Sequence, residues 1–185
     1  AVSQVTKEKN KVFIDSGAGS TAIVGKSCSP NTILWTYDTY ALANGTARTL
    51  LKQGKKSWFF ITADYAFGQA LENDTSEIVK NLGGTVVGDA KYPFPGSDFS
   101  SYLLKAQGSK ADVIGLANAG GDTVNTMKQA AEFGITQGGQ SIAALLVFIT
   151  DVNAMGLDTA KGQLVTSAFY WDQNDGTRDF GKRFA

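Results

Sequence analysis

The chain has 185 residues, enough for one large domain or two small ones, and its 43% hydrophobic and 18% charged residues are typical of a globular protein. Its 17 basic and 17 acidic side chains cancel, so net charge gives no attraction to nucleic acid or to an anionic membrane surface. Without histidine and with one cysteine, Cys28, the sequence excludes histidine catalysis, imidazole zinc sites and an internal disulfide. No apolar run reaches the roughly 20 residues that cross a bilayer, so direct membrane insertion is not expected.

Strand and helix signals alternate along the chain. Short apolar segments predict strands at 12–14, 32–36, 57–61, 85–87, 112–116, 142–148 and 164–166. Segments with helical spacing lie between them and end at glycines, and Ser97 or Asp98, Asp122 and Thr150 are the predicted helix caps. This alternation predicts an α/β fold in which a parallel sheet carries helices on both faces.

The loop 15–22, directly after the first strand, is the first candidate site, because ligands of parallel sheets bind beyond the carboxyl ends of the strands. Its G-x-G-x-x-A pattern and Asp38, about 20 residues on, imitate a dinucleotide fingerprint. Only residues 23–31 separate the loop from the next strand, fewer than the dozen or so that a parallel crossover needs. We therefore favour a loop that holds a small anion through backbone N–H groups and hydroxyls, with a nucleotide site or a plain glycine turn as alternatives.

Three further strand ends carry candidate residues. Tyr65 and Phe67 open a helix and either stack on a ligand ring or belong to the core. The small residues before Asp122 let a ligand approach the backbone at a helix N-terminus, which favours negative charge. The run 145–151 is apolar up to Thr150 and is typical of buried core, so spacing alone does not say whether Phe148 faces a cleft.

Acidic residues near the strand ends do not form a catalytic set. Asp15, Asp38, Asp64 and Asp122 lie there, but without a nucleophile and base to pair with they are expected to be helix caps or turn residues. We expect no enzymatic activity, no cofactor and no bound metal.

Several motifs in a fixed order resemble the type I periplasmic solute-binding proteins, the leucine/isoleucine/valine-binding-like components of ABC importers. They are Ala63-Asp64-Tyr65-Ala66-Phe67-Gly68, Gly83-Gly84-Thr85-Val86-Val87, Pro95-Gly96-Ser97-Asp98-Phe99-Ser100, Lys110-Ala111-Asp112-Val113-Ile114 and Lys128-Gln129-Ala130-Ala131-Glu132-Phe133-Gly134. Upstream, Ser16-Gly17-Ala18-Gly19-Ser20-Thr21, Cys28-Ser29-Pro30 and Trp35-Thr36-Tyr37-Asp38 resemble the subgroup found beside aromatic-compound catabolism.

The resemblance implies two α/β lobes with the ligand between them, in proteins of roughly twice this length. Residues 1–40 resemble part of the first lobe, 41–168 a nearly complete second lobe, and 169–185 the return crossover toward the first. The chain therefore resembles a fragment, and we expect unpaired strand edges beside residues 12–14. Some relatives have a disulfide partner outside the equivalent stretch, so the resemblance leaves both a free thiol and a disulfide open for Cys28 in the full-length protein.

The resemblance assigns ligand-binding roles by position. The positions are Gly17, Ala18, Gly19, Ser20, Tyr40, Tyr65, Phe67, Ala119, Gly120 and Phe148. The loop 17–20 matches the carboxylate-binding loop, and Tyr40 lies near the place where amino-acid binders carry an aspartate for the ammonium group. Tyr65 and Phe67 match an aromatic wall, and 119–120 match a contact on the other lobe.

No acid stands at the positions that hold an ammonium group in amino-acid binders, and this favours a small aromatic carboxylate of the benzoate or phenylpropenoate type. The resemblance implies capture in the periplasm and delivery to ABC permease subunits. Binding of a branched-chain amino acid, a nucleotide-dependent enzyme and a sensory receptor domain are the alternatives.

Overall fold

The computed structural model describes residues 1–184 and contains two separate parallel sheets. The small sheet pairs β1 with β2, and the large one has the strand order β4-β3-β5-β6. The strands are β1 (Phe13–Asp15), β2 (Thr32–Leu34), β3 (Ser57–Ala63), β4 (Thr85–Tyr92), β5 (Val113–Ala117) and β6 (Ser141–Ala144). The helices are α1 (Val2–Glu8), α2 (Thr39–Lys52), α3 (Ala66–Asn81), α4 (Ser100–Gly108), α5 (Gly121–Glu132), α6 (Ile149–Met155), α7 (Leu157–Ala160) and α8 (Asp175–Phe184), with a 3-10 turn at Thr21–Ile23.

The large sheet is covered by helices on both faces, as the sequence predicted. Strand β3 is buried from Trp58 to Ala63 because its alternate side chains enter two different cores. Trp58 and Phe60 pack among residues of α2 and α3, whereas Phe59 and Ile61 pack among residues of α4 and α5. The predicted α/β fold is therefore confirmed.

Two predicted strands differ from the structure. The apolar run 142–148 leaves the sheet at Ala144, and Leu145–Val147 continue as buried irregular chain. The segment 164–166 forms no strand and instead lies against helix α2. Thr166 packs on Gly45 of α2, and its hydroxyl lies 2.8 Å from that of Thr46.

Helix caps follow the prediction at some positions and not at others. Asp38 caps α2 by accepting a hydrogen bond from the N–H of Ala41 at 2.7 Å. The predicted cap Thr150 is wrong, since the N-cap of α6 is Phe148, whose N–H donates to Asp151 at 2.8 Å. The prediction that Asp122 caps α5 is also wrong, because Asp122 lies inside the helix and its carboxylate turns toward the core.

The small sheet has open edges within the described residues. Each strand of this sheet pairs only with the other, and Ile14 and Ile33 are 60% and 47% exposed. These are the unpaired edges that we predicted beside residues 12–14. In the part of the chain that the structure describes, Cys28 is exposed and forms no disulfide. No helix over residues 1–184 is both long and apolar enough to cross a bilayer.

Candidate functional site

A cavity of about 690 Å³ lies at the carboxyl ends of β1, β3 and β5. Its walls are the loop after β1, Tyr37, the first residues of α3 and the chain that leads into α5. Most of the predicted ligand-binding positions line it, namely Gly17, Ala18, Ser20, Tyr65, Phe67, Ala119, Gly120 and Phe148. The fold thus brings together residues that are more than 100 positions apart in the sequence.

The loop after β1 is held by hydrogen bonds to Asp15, the last residue of that strand. The carboxylate of Asp15 accepts hydrogen bonds from the N–H groups of Gly17 and Ala18, at 3.0 and 2.8 Å. These two donors are therefore paired within the loop in this structure. Ser20 keeps a donor, since its hydroxyl oxygen accepts from the N–H of Ala22 at 3.3 Å and its hydrogen is free to point elsewhere.

The backbone conformation and close packing of this loop explain its glycine pattern without a nucleotide. Gly19 is buried with a φ of +61°, and a Cβ there would stand 2.8 Å from the ring of Tyr37. It lies behind Tyr37 and does not line the cavity. The loop leads into a single 3-10 turn, so the full helix that a dinucleotide fingerprint requires is absent here.

Two helices begin at the cavity, and their first backbone N–H groups have no side-chain hydrogen-bond acceptor among the described residues. Helix α3 begins after Tyr65 and α5 after Gly120, and no side chain among residues 1–184 caps either of them. Gly120 has a φ of +58°, which brings bare backbone to the cavity wall. The first N–H groups of a helix and its positive dipole end both favour a bound anion, so the arrangement suits a carboxylate.

Aromatic rings form the remaining walls. Tyr65 stands 6.1 Å from Phe67 and stacks on Phe94 at 4.4 Å, and Tyr37 meets Phe148 at 5.8 Å. Burial, with a smaller contribution from Asp15, raises the pKa of Tyr37 above its ordinary value. Burial also raises the pKa of Tyr65, helped by the charge of Asp122. Both phenols are therefore neutral near pH 7 and do not repel an anion.

Tyr40 lies outside the cavity, and Tyr37 stands in its place. Helix α2 begins at Thr39, which is fully buried, and the next residue, Tyr40, points outward and is 52% exposed. The sequence signal for Tyr37 was its place beyond the carboxyl end of the second strand, next to the helix cap Asp38.

No charged side chain lines this cavity in the part of the chain that the structure describes. The nearby acids are used elsewhere: Asp38 caps α2, Asp64 is exposed and accepts from Gln69 at 2.7 Å, and Asp122 binds Tyr92. Over residues 1–184 there is also no group of acidic, cysteine or histidine side chains that could hold a metal ion.

Two parallel α/β units thus meet at a cavity with aromatic walls. The family model described as "Periplasmic binding protein" matches residues 1–185, and the chain belongs to this family. The comparison with curated proteins gave no match.

Solved structures of the same type cover nearly all of this chain. A periplasmic binding protein from Burkholderia mallei is 51% identical with a TM-score of 0.94, over 99% of this chain and 48% of its own. A branched chain amino acid ABC transporter periplasmic ligand-binding protein from Burkholderia xenovorans is 33% identical with a TM-score of 0.87, over 99% and 49%. An R. palustris ABC transporter solute binding protein in complex with benzoate shares the fold at 22% identity and a TM-score of 0.85, over 100% and 51%. The chain therefore spans about half the length of these structures.

Proposed function

We propose that the protein containing this chain captures a small aromatic carboxylate in the periplasm and delivers it to the permease of an ABC importer. Residues 1–40 would contribute to one lobe, 41–168 to the other, and 169–185 to the crossover between them. Membership of the family and the ABC transporter relatives support a transport role and not an enzymatic one.

One observation supports the ligand class above all: the cavity offers two uncapped helix N-termini and aromatic walls, and no acidic side chain among the described residues lines it. A benzoate or phenylpropenoate has one negative end and an apolar ring. Its carboxylate suits the first N–H groups of α3 and α5, and its ring suits Tyr37, Tyr65 and Phe67. Burying an ammonium group without an acidic partner costs several kcal/mol, which disfavours an amino acid.

Binding of a branched-chain amino acid is the second candidate. The 33% identical relative from B. xenovorans carries that description. In addition, Asp15 is only 4% exposed and its Oδ2 atom has no hydrogen-bond partner in the structure, so one buried acidic oxygen stands below the loop after β1. An ammonium group would need that loop to move before it reached this oxygen, because Asp15 does not line the cavity.

Calorimetric titration of the full-length gene product separates the candidates. The protein is first unfolded, dialysed and refolded to remove co-purified ligand, and then titrated with benzoate, 4-hydroxybenzoate, a phenylpropenoate, leucine and valine. We expect saturable binding of at least one aromatic acid and a rise in unfolding free energy of about 2.7 kcal/mol at 100 times its Kd. Binding of leucine or valine without a response to any aromatic acid would overturn the proposal. A response to NAD or ATP would instead favour the nucleotide enzyme.

A further inference from the structure

Asp74, in the middle of α3, makes hydrogen bonds to two threonines that lie outside its helix. The hydroxyl of Thr39 donates to Asp74 Oδ2 at 2.5 Å, and the hydroxyl of Thr21 donates to the same oxygen at 3.0 Å. Thr39 begins α2, and Thr21 begins the 3-10 turn after β1. One carboxylate oxygen therefore joins three segments that are distant in the sequence.

Thr39 in turn holds the backbone of the cavity loop. Its N–H donates to the carbonyl oxygen of Gly19 at 2.7 Å, and its hydroxyl oxygen accepts from the N–H of Thr21 at 3.2 Å. Thr39 is fully buried, so water does not compete for these bonds. The end of the loop is thus hydrogen-bonded to Thr39, and the hydroxyl of Thr39 is hydrogen-bonded to Asp74. We call Thr21, Thr39 and Asp74 the threonine–aspartate clasp.

The clasp connects two walls of the cavity that belong to different sheets. The loop 17–20 forms one wall and follows β1 of the small sheet. Phe67, in the first turn of α3, forms another wall and follows β3 of the large sheet. Because Asp74 lies on the same rigid helix as Phe67, its bonds to Thr21 and Thr39 set how far the loop stands from the aromatic wall. Hydrogen bonds to a charged acceptor are stronger than neutral ones, which suits this role.

We propose that Asp74 is a positioning residue for ligand binding: its carboxylate holds the cavity loop at the distance from α3 that the ligand requires. The inference rests on the proposed function, since the ligand is the aromatic acid named there. Asp74 does not line the cavity. Asp74 therefore acts entirely through Thr21 and Thr39.

The test compares three variants of the full-length gene product. Asp74→Ala removes the acceptor. Asp74→Asn keeps an acceptor oxygen without the charge, and a single oxygen is enough because both bonds end on Oδ2. Glu77→Ala is the matched control, an exposed carboxylate one turn away whose side chain makes no hydrogen bond among residues 1–184. Amide hydrogen exchange of the loop 17–22 is followed without ligand, and Kd for the best aromatic acid is measured by calorimetry.

We expect Asp74→Ala to speed amide exchange in the loop and to raise Kd roughly ten-fold, because both hydrogen bonds to Oδ2 are lost and the loop is no longer held ready for the ligand. Asp74→Asn should recover much of both, and Glu77→Ala should resemble the wild type. Unchanged loop exchange and unchanged Kd in a folded Asp74→Ala variant would overturn the inference, as would an equal effect of Glu77→Ala. If Asp74→Ala does not fold, Thr21→Val removes only the bond from the turn and must show the same direction.

The two proposals fail in different ways. If the wild type binds no aromatic acid, the proposed function fails, while loop exchange in Asp74→Ala still tests the clasp. If the wild type binds and loop exchange does not respond to Asp74→Ala, the clasp fails and the proposed function stands.

Discussion

The phenol of Tyr92 donates a hydrogen bond of 2.8 Å to the carboxylate of Asp122, and both residues are buried. The same carboxylate oxygen accepts the N–H of Gly96 at 3.0 Å. Burial first, and then the bond to Asp122, raise the pKa of Tyr92 far above its ordinary value. The pair fixes the turn after β4, whose Phe94 stacks on Tyr65 at the cavity wall. A core interaction thereby supports a ring that lines the cavity.

Replacing Tyr92 with phenylalanine should lower the free energy of unfolding by about 1–3 kcal/mol, because the buried Asp122 carboxylate loses a donor. Urea denaturation measures the change. The matched control is Tyr102→Phe, since Tyr102 packs 5.8 Å from Tyr92 and its hydroxyl makes no hydrogen bond within the described residues. Equal stabilities of the two variants would show that the Tyr92 hydroxyl contributes nothing beyond packing.

Asp112 should make the stability depend on acid pH. The N–H groups of Ser57 and Lys56 donate to its carboxylate, each at 2.9 Å, and the bond from Ser57 does most to lower its pKa. A lowered folded pKa means that the charged form stabilises the fold above the ordinary aspartate value of about 3.9. That stability is lost as the pH falls through the lower folded pKa.

We therefore expect Asp112→Asn to be less stable than the wild type at pH 7, with the difference shrinking as the pH drops below about 4. Thermal unfolding across this range measures it. Asp89→Asn is the control, because Asp89 is exposed and its carboxylate accepts no hydrogen bond within the described chain. A difference that stays constant from pH 7 down to pH 3 would contradict the assignment.

Gly19→Ala should damage the cavity while Gly17→Ala is tolerated. Gly19 has a φ of +61°, and a Cβ would meet the rings of Tyr37 at 2.8 Å and Phe67 at 3.2 Å. A Cβ on Gly17 would meet nothing within 4 Å. We expect Gly19→Ala to cost about 1–3 kcal/mol of stability from backbone strain and to weaken aromatic-acid binding as the rings move. If the two variants have the same stability and the same Kd, the ring contact is unimportant.

Local sequence patterns correctly predicted helices and strands that depend on interactions within one element. They gave wrong assignments for residues whose role depends on a contact that is distant in the sequence. The apolar run of β3 and the glycine stops are visible in sequence because each reflects one element. Asp122 looked like a helix cap, but Tyr92, 30 residues away, provides its partner. The segment 164–166 has strand composition, yet Thr166 packs against α2, more than 100 residues earlier in the chain. Tyr40 and Tyr37 are three residues apart, and only the starting point of α2 decides which one faces the cavity.

Phe148 offers a test of the charge of the ligand. Phe148 is 42% exposed at the cavity and faces Tyr37 at 5.8 Å, so a polar replacement does not disturb a buried core. Phe148→Leu should weaken aromatic-acid binding by about 0.5–1.5 kcal/mol through loss of the ring pair. Phe148→Glu should weaken it further, because the new carboxylate repels that of the ligand and must also be desolvated. The same acid offers a partner to an ammonium group, so the ratio of the Kd for the aromatic acid to that for leucine should rise in Phe148→Glu and not in Phe148→Leu. Calorimetry with both ligands measures the ratio, and an equal ratio in the two variants would mean that Phe148 does not face the bound ligand.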